Sequence, residues 1–378
     1  MTPVSLAMAA VHVPDLRDFT LPELTQWIGK MGEPSYRARQ VFRWLWRGWI
    51  QDFGEMTDLP RACREALAGQ ARLTPMSAVK VQSSRDGTRK ILLRLSDGEE
   101  IEAVLIPEAR RLTACISSQV GCAMGCRFCL TATMGLHRNL RPSEIAGQLV
   151  ALQSALVPEA PITHIVLMGM GEPLANYVAT EKTLHILTAK AGLGFSPRRI
   201  TVSTVGLVPG IRRLARSGLG VNLAVSLSAT TDDLRDRLIP INARYPLSEL
   251  LQACREFPLA PRRRITFEYV LMADVNDSVD DARRLARLLK GIQCKVNLIP
   301  LNEAPGLPFH RPSRSRTEAF RKVLERAGHI APIRESRGQD ISAACGMLAT
   351  AERLLDSPRS APYTTGCGVE QSGSSLGS

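Results

Sequence analysis

Three cysteines lie close together in Gly121-Cys122-Ala123-Met124-Gly125-Cys126-Arg127-Phe128-Cys129, a Cys-x3-Cys-x2-Cys run with no fourth ligand at matching spacing. Structural zinc is normally closed by four protein ligands, and an ordinary iron–sulfur cluster by four cysteines. Three thiolates leave one iron of a [4Fe-4S] cluster open to something else. An open iron on a reducible cluster suits S-adenosylmethionine: its amino and carboxylate groups chelate the metal while one electron cleaves the sulfonium and leaves a carbon radical. Two plainer readings compete, a zinc site that borrows a distant ligand and cysteines buried as small hydrophobes. The asymmetric spacing is not the paired Cys-x2-Cys arrangement expected of zinc.

Further candidates stand at the ends of strand-like runs. Gly169-Met170-Gly171-Glu172-Pro173 follows one run directly; Gly171 lets backbone approach a ligand, and Glu172 is a hydrogen-bond acceptor for the cofactor's ammonium. Ser203, Ser226 and Asn302 hold comparable positions and are candidates for the cofactor's sugar or carboxylate, each also readable as a local turn or cap. Cys115 and Cys345 lie outside the cluster spacing, and either one alone reads as an inert buried thiol.

The elements that must position these residues follow from periodicity. Short strand-like runs recur at Leu112–Ile116, Ile165–Met168, Ile200–Ser203, Leu223–Ser226, Ile265–Val270 and Lys295–Ile299, with helix-like segments such as Pro142–Ala155 and Asp277–Leu289 between them. This is the rhythm of βα units. Six strands are fewer than the eight of a closed barrel, so the expected fold class is α/β, an open partial (β/α)6 barrel over 111–352 with the cluster loop after its first strand. Residues 1–75 read as a small helical amino-terminal accessory domain, with Thr20 capping a helix at Leu21-Pro22-Glu23-Leu24. Lys90–Leu95 and Ile101–Ile106 read as strands around a turn at Ser96-Asp97-Gly98, connecting the two parts over 76–110. The Ser- and Gly-rich stretch 353–378 reads as a disordered tail.

The chain has 378 residues, 44% hydrophobic, and no apolar run long enough to span a bilayer, which describes a soluble protein with a substantial core. Its start, Met1-Thr2-Pro3-Val4-Ser5-Leu6, lacks the features of a secretory signal, and nine cysteines, an odd number, read as ligands and catalytic thiols in a reducing cytoplasm. A net charge of +12 favours a polyanionic partner. Arg37, Arg39, Arg43 and Arg47 interleave with Phe42, Trp44 and Trp46, the mixture a nucleic-acid surface uses. Trp44, Trp46 and Trp49 read as core before stacking platforms, leaving the arginines as the better RNA contacts.

The cysteine spacing resembles the signature of the radical S-adenosylmethionine superfamily, in which an aromatic residue such as Phe128 commonly precedes the third cysteine. The assembled pattern resembles, more specifically, the radical S-adenosylmethionine adenine methyltransferases of large-subunit ribosomal RNA. It runs through Arg37-Ala38-Arg39-Gln40-Val41-Phe42, Glu55-Met56-Thr57-Asp58-Leu59-Pro60, Ser117-Ser118-Gln119-Val120-Gly121-Cys122, Met168–Pro173, Leu234-Arg235-Asp236 and Ala343-Ala344-Cys345-Gly346. The resemblance implies methylation of adenine C2 in 23S rRNA, with tRNA as a second substrate and an electron donor such as flavodoxin, by a monomer. It implies that Cys122, Cys126 and Cys129 bind the cluster, that Cys345 is methylated by one S-adenosylmethionine, and that a radical from a second abstracts hydrogen from that methyl group. The resulting carbon adds to adenine, Glu102 accepts the substrate proton, and Cys115 resolves the adduct through a disulfide with Cys345. The chain departs from the pattern at Ser226-Leu227-Ser228, where Ser-Leu-His is common, and at Leu130, where a small residue is usual. Ser228 remains a candidate cofactor contact through its hydroxyl. Two alternatives stay open, a C8 adenine methyltransferase conferring antibiotic resistance and a non-enzymatic basic RNA-binding protein with a structural metal.

Overall fold

The computed structural model describes residues 13–48, 50–156, 161–304 and 306–349. The amino-terminal leader reading, the stacking reading of Trp49 and the tail reading of 353–378 lie outside the described residues. Among the described residues no helix is long and apolar enough to cross a membrane.

Three helices open the fold: α1 (Leu21–Lys30), α2 (Ser35–Arg47) and α3 (Arg61–Gln70). Thr20 caps α1 as expected. Its backbone N–H donates to Glu23 Oε2 at 2.9 Å in a capping box, which satisfies donors the first turn cannot pair itself. Phe42 and Trp46 of α2 are fully buried. They press against Gly192, where a Cβ would lie 2.6 Å from the Phe42 ring, so only glycine permits this approach. Arg47 completes the junction by donating to the carbonyls of Gly192 (2.5 Å) and Lys190 (2.7 Å).

The expected arginine surface is therefore mostly occupied. Arg37 donates to Gln40 (2.8 Å), Arg43 pairs with Asp58 (2.6 Å), and Arg47 ties α2 to the rest of the chain, while Arg39 is exposed. Trp46 is core, whereas Trp44 is half-buried with its indole donating to Asp58 Oδ1.

A nine-stranded sheet forms the centre. Its parallel part is β4 (Arg111–Cys115), β7 (His164–Leu167), β8 (Ile200–Thr204), β9 (Asn222–Ser226), β10 (Ile265–Leu271) and β11 (Cys294–Pro300), the six strands expected. Around them pack α5 (Pro142–Leu156), α6 (Tyr177–Thr188), α7 (Val208–Arg216), α8 (Asp232–Leu238), α9 (Leu247–Glu256), α10 (Val279–Leu288) and α11 (Arg314–Arg326). Between β4 and α5, the short β5 (Gln119–Gly121) and β6 (Leu136–Asn139) pair as a separate ribbon, with the single turn α4 (Leu130–Thr133) between them.

The reading of 76–110 as a connector needs correction. β1 (Ser77–Ser83), β2 (Arg89–Arg94) and β3 (Glu100–Glu108) form an antiparallel meander whose last strand pairs with β4, so they extend the barrel sheet itself. The tight β3–β4 hairpin, with Glu108 opposite Arg111, forces this, because a turn this short brings the returning strand alongside.

Candidate active site

The carboxyl ends of the parallel strands enclose a cavity of about 240 Å3, the position where an α/β barrel presents its chemistry. Cys122, Cys126 and Cys129 line one side. Their loop is shaped by Gly121, which sits at φ 73° with the position of a Cβ only 1.9 Å from the Gly135 carbonyl. Only glycine fits there, and the next N–H, that of Cys122, donates to the same carbonyl at 2.7 Å. On the other flank the Arg127 N–H donates to Leu238 O at 3.0 Å. Burial pushes the Cys122 thiol up to about 12 and Cys126 well above the ordinary range, with the neighbouring cysteines adding to both. Three soft sulfur donors from one loop, facing one cavity, fit the donor set of an iron–sulfur cluster with an open iron. Among the described residues no three His, Cys, Asp or Glu side chains converge to metal-holding distances.

Arg235 braces this side. It is fully buried and donates to the carbonyls of Val205 (2.5 Å), Ser226 (3.2 Å) and Leu227 (3.3 Å) and to Asn242 Oδ1 (2.9 Å). Burial lowers its guanidinium to about 10, with Cys126 the largest opposing charge. It thereby fixes the ends of β8 and β9, where Ser203 and Ser226 reach the cavity wall.

Gly171 and Glu172 also line the cavity. Gly171 has φ 97°, and a Cβ there would lie 2.5 Å from Gln119. Glu172 accepts the Leu174 N–H on Oε1 (2.9 Å) and the Val205 N–H on Oε2 (2.8 Å). Burial raises its carboxyl to about 7 against the pull of those two donors, and each oxygen keeps a lone pair.

Cys345 enters from the opposite end of the chain. Asn302 Nδ2 donates to its carbonyl at 3.2 Å, Leu130 N–H donates to Gly346 O at 2.8 Å, and Thr131 Oγ1 donates to Leu348 O at 2.6 Å. The segment is therefore fastened to the three-cysteine loop itself. Cys345 is accessible, and that surface is part of the cavity wall, which explains why burial still drives its thiol up to about 12, helped by Cys129 and Glu268. Cys115, at the end of β4, lines the same cavity; burial raises it to about 12, with Cys345 adding to the rise.

Two candidates are placed elsewhere. Ser228 is fully buried and does not line the cavity; it adopts φ 48°, which turns the chain away from the end of β9, and its hydroxyl accepts the Val270 N–H at 3.3 Å. Its expected contact with the cofactor is corrected accordingly. Glu102 lies behind the Cys345 segment, outside the cavity lining, with Oε1 2.8 Å from Lys90 Nζ and Oε2 accepting the Ala349 N–H at 3.0 Å. Burial raises its carboxyl, with Lys90 opposing.

Sequence reasoning missed Lys90, Arg235 as a brace, and Glu268 with Asn297, which lie side by side on β10 and β11 with the amide donating at 2.9 Å. The last pair had a signal, since Thr266 and Glu268 interrupt the apolar run Ile265–Leu271 and Lys295 and Asn297 the run Cys294–Pro300.

The chain is similar to known proteins over most of its length. Residues 14–73 match the ribosomal RNA large subunit methyltransferase N-terminal domain, and residues 116–289 match the radical SAM superfamily. The dual-specificity RNA methyltransferase RlmN of Syntrophus aciditrophicus is 53% identical over 336 residues, covering 89% of this chain and 96% of that protein. The RlmN protein of Geobacter sulfurreducens is 52% identical, over 88% of this chain and 91% of its own length. The crystal structure of a radical SAM methyltransferase from Sphaerobacter thermophilus superimposes with a TM-score of 0.83 at 50% identity, covering 89% of this chain and 99% of that one.

Proposed function

The chain belongs to the RlmN family of radical SAM RNA methyltransferases, and from that premise we propose that it methylates C2 of an adenine in 23S rRNA and in tRNA through a methyl group carried on Cys345. The observation that carries this reading is that Cys115 and Cys345, 230 residues apart by number, line one cavity together with the three cysteines of the loop.

Cys122, Cys126 and Cys129 would hold a [4Fe-4S] cluster, with Gly171, Glu172, Ser203, Ser226 and Asn302 around S-adenosylmethionine. Bound there, the cluster and cofactor supply a methyl donor and, on reduction, a hydrogen-abstracting carbon radical. The remaining work falls to the chain. The Cys345 sulfur accepts the methyl group and carries its carbon to the adenine, since C2 is too electron-poor to attack a sulfonium itself. Glu102 takes the C2 proton. The Ala349 N–H now occupies one of its oxygens, so in this mechanism residues 343–349 shift to admit the base. Cys115 then attacks the Cys345 sulfur, forming a disulfide and leaving the methyl carbon on RNA, and external reduction resets both thiols. A cytoplasmic monomer served by a flavodoxin-type donor completes the proposal.

The test is mass spectrometry of nucleosides from unmodified 23S rRNA and tRNA treated with cluster-loaded protein, S-adenosylmethionine and reductant. We expect 2-methyladenosine from both RNAs. Formation of 8-methyladenosine alone would overturn the assigned position, and methylation of rRNA alone would remove the second substrate.

A further inference from the structure

A buried carboxylate in the cavity wall has no part in the steps above. Glu268 lies on β10, 6% exposed, in register with Ser226 of β9 and Asn297 of β11. Asn297 donates to Oε1 at 2.9 Å, whereas Oε2 is buried without a hydrogen-bond donor among the described residues. A buried carboxylate oxygen without a partner is costly, and such groups in clefts mark functional positions. Around it, the charged and titratable groups are Arg334 from the segment after α11, Lys295 on β11, and Cys345 itself, while Ser226 on β9 is neutral. Arg334 and Lys295 act on Glu268 through their fields, with no ion pair to it.

Of the other carboxylates in the cavity wall, Glu108 is exposed. Both Glu172 oxygens accept backbone N–H groups, Glu102 is paired behind the segment, and Glu335 pairs with Arg311 at 2.9 Å. Among the carboxylates of this cavity wall, which Cys345 also lines, Glu268 is the buried one with an oxygen that no hydrogen-bond donor reaches among the described residues. Burial, Cys129 and then the negative charge of Glu268 disfavour a thiolate at Cys345.

We propose that Glu268 is the base that receives the Cys345 thiol proton when Cys345 is methylated, an inference that rests on Cys345 being the methyl acceptor. The thiolate is the competent nucleophile. As the Cys345 sulfur forms its bond to the methyl carbon, that carbon's bond to the sulfonium breaks and the sulfonium sulfur keeps the electron pair. The thiol proton passes to the Glu268 carboxylate. The products are S-methylated Cys345, S-adenosylhomocysteine and a neutral Glu268 acid, which balances atoms and charge.

The test compares wild type with Glu268→Gln, an isosteric change that retains an acceptor for Asn297. Transfer of a deuterated methyl group from S-adenosylmethionine to Cys345, followed by peptide mass spectrometry without reductant, reads the step itself. Glu268→Gln is expected to slow it about a hundredfold and to make its rate climb with pH where wild type is flat. In protein without cofactor, alkylation of Cys345 by iodoacetamide should shift to lower pH in Glu268→Gln, because the neighbouring negative charge is gone. These opposite responses separate a base from a packing residue. Glu268→Asp, which keeps the acid, should retain the flat pH profile at a reduced rate. Wild-type rates in Glu268→Gln, both reactions slowing together, or a pH-dependent Glu268→Asp would each overturn the proposal. A wild-type protein that never acquires the label at Cys345 would overturn the underlying reading as well.

Discussion

The loop from Gly121 to Cys129 and the segment from Ala343 to Ala349 bring cysteines to one cavity by opposite means. The loop is local: its three thiols lie within eight successive residues, and its shape comes from Gly121 and from the Cys122 N–H bonding to Gly135. The segment has little structure of its own and is held by distant groups, namely Glu102, Asn302, Leu130 and Thr131, with Lys90 Nζ donating to Ser342 O at 3.2 Å. Under the proposed function, a site built this way keeps its metal ligands on a pre-shaped turn and its methyl carrier on a strap fastened by separable bonds. Disturbing the two regions should therefore produce different losses.

The largest contrast is between Cys126→Ala and Cys345→Ala. Both should abolish RNA methylation. Analysis of iron and acid-labile sulfide should find the cluster lost from the first and retained in the second; loss of iron from both would erase the distinction. Lys90→Met comes next. It leaves Glu102 as a buried charge without its partner, which costs about 3–5 kcal/mol, and urea unfolding would record it. Iron loading should persist while protease cuts near residue 345 become faster; equal loss of iron would tie the strap to the loop more tightly than these contacts imply.

How much of this was legible in the sequence follows the same division. The cysteine loop stood out because its three thiols are close in number, and the six parallel strands could be read because each is a short apolar run between turns. Register was harder. Lys90 lies opposite Val104 and Glu102 opposite Leu92, so the ion pair is a diagonal one on a shared face of β2 and β3, and alternation in either strand alone could not reveal it. The same blindness made these strands look like a connector, since hydrophobic pattern identifies a strand without naming its neighbour. Ser228 was misplaced because a single left-handed residue redirects the chain after β9, and serine gives no warning of that conformation. Arg37, Arg43 and Arg47 were drawn into intramolecular bonds for a related reason: clustering of charge shows where cations are but not which acceptors fold against them.

Smaller perturbations sharpen the comparison. Gly121→Ala imposes a positive φ on alanine and a clash with Gly135 O, storing about 1–3 kcal/mol of strain in the loop. It should lower iron loading while Cys345 alkylation stays as in wild type; unchanged loading would show that the turn tolerates a Cβ. Asn302→Ala removes one hydrogen bond to the Cys345 carbonyl, worth about 1 kcal/mol. Its expected signature is faster alkylation of Cys345 with only a slight drop in stability, and no change in alkylation would show that Asn302 does not restrain the strap.

In the proposed function, two cysteines from distant parts of the chain act on one carbon. The most direct measurement is a denaturing gel of cluster-loaded Cys115→Ala after reaction with radiolabelled RNA, S-adenosylmethionine and reductant. Without its resolving thiol, the protein should remain covalently joined to RNA through Cys345, and the joined species should vanish in the Cys115→Ala, Cys345→Ala double variant. If Cys115→Ala instead released methylated RNA at the wild-type rate, Cys115 would have no part in resolving the adduct and the central claim would fail.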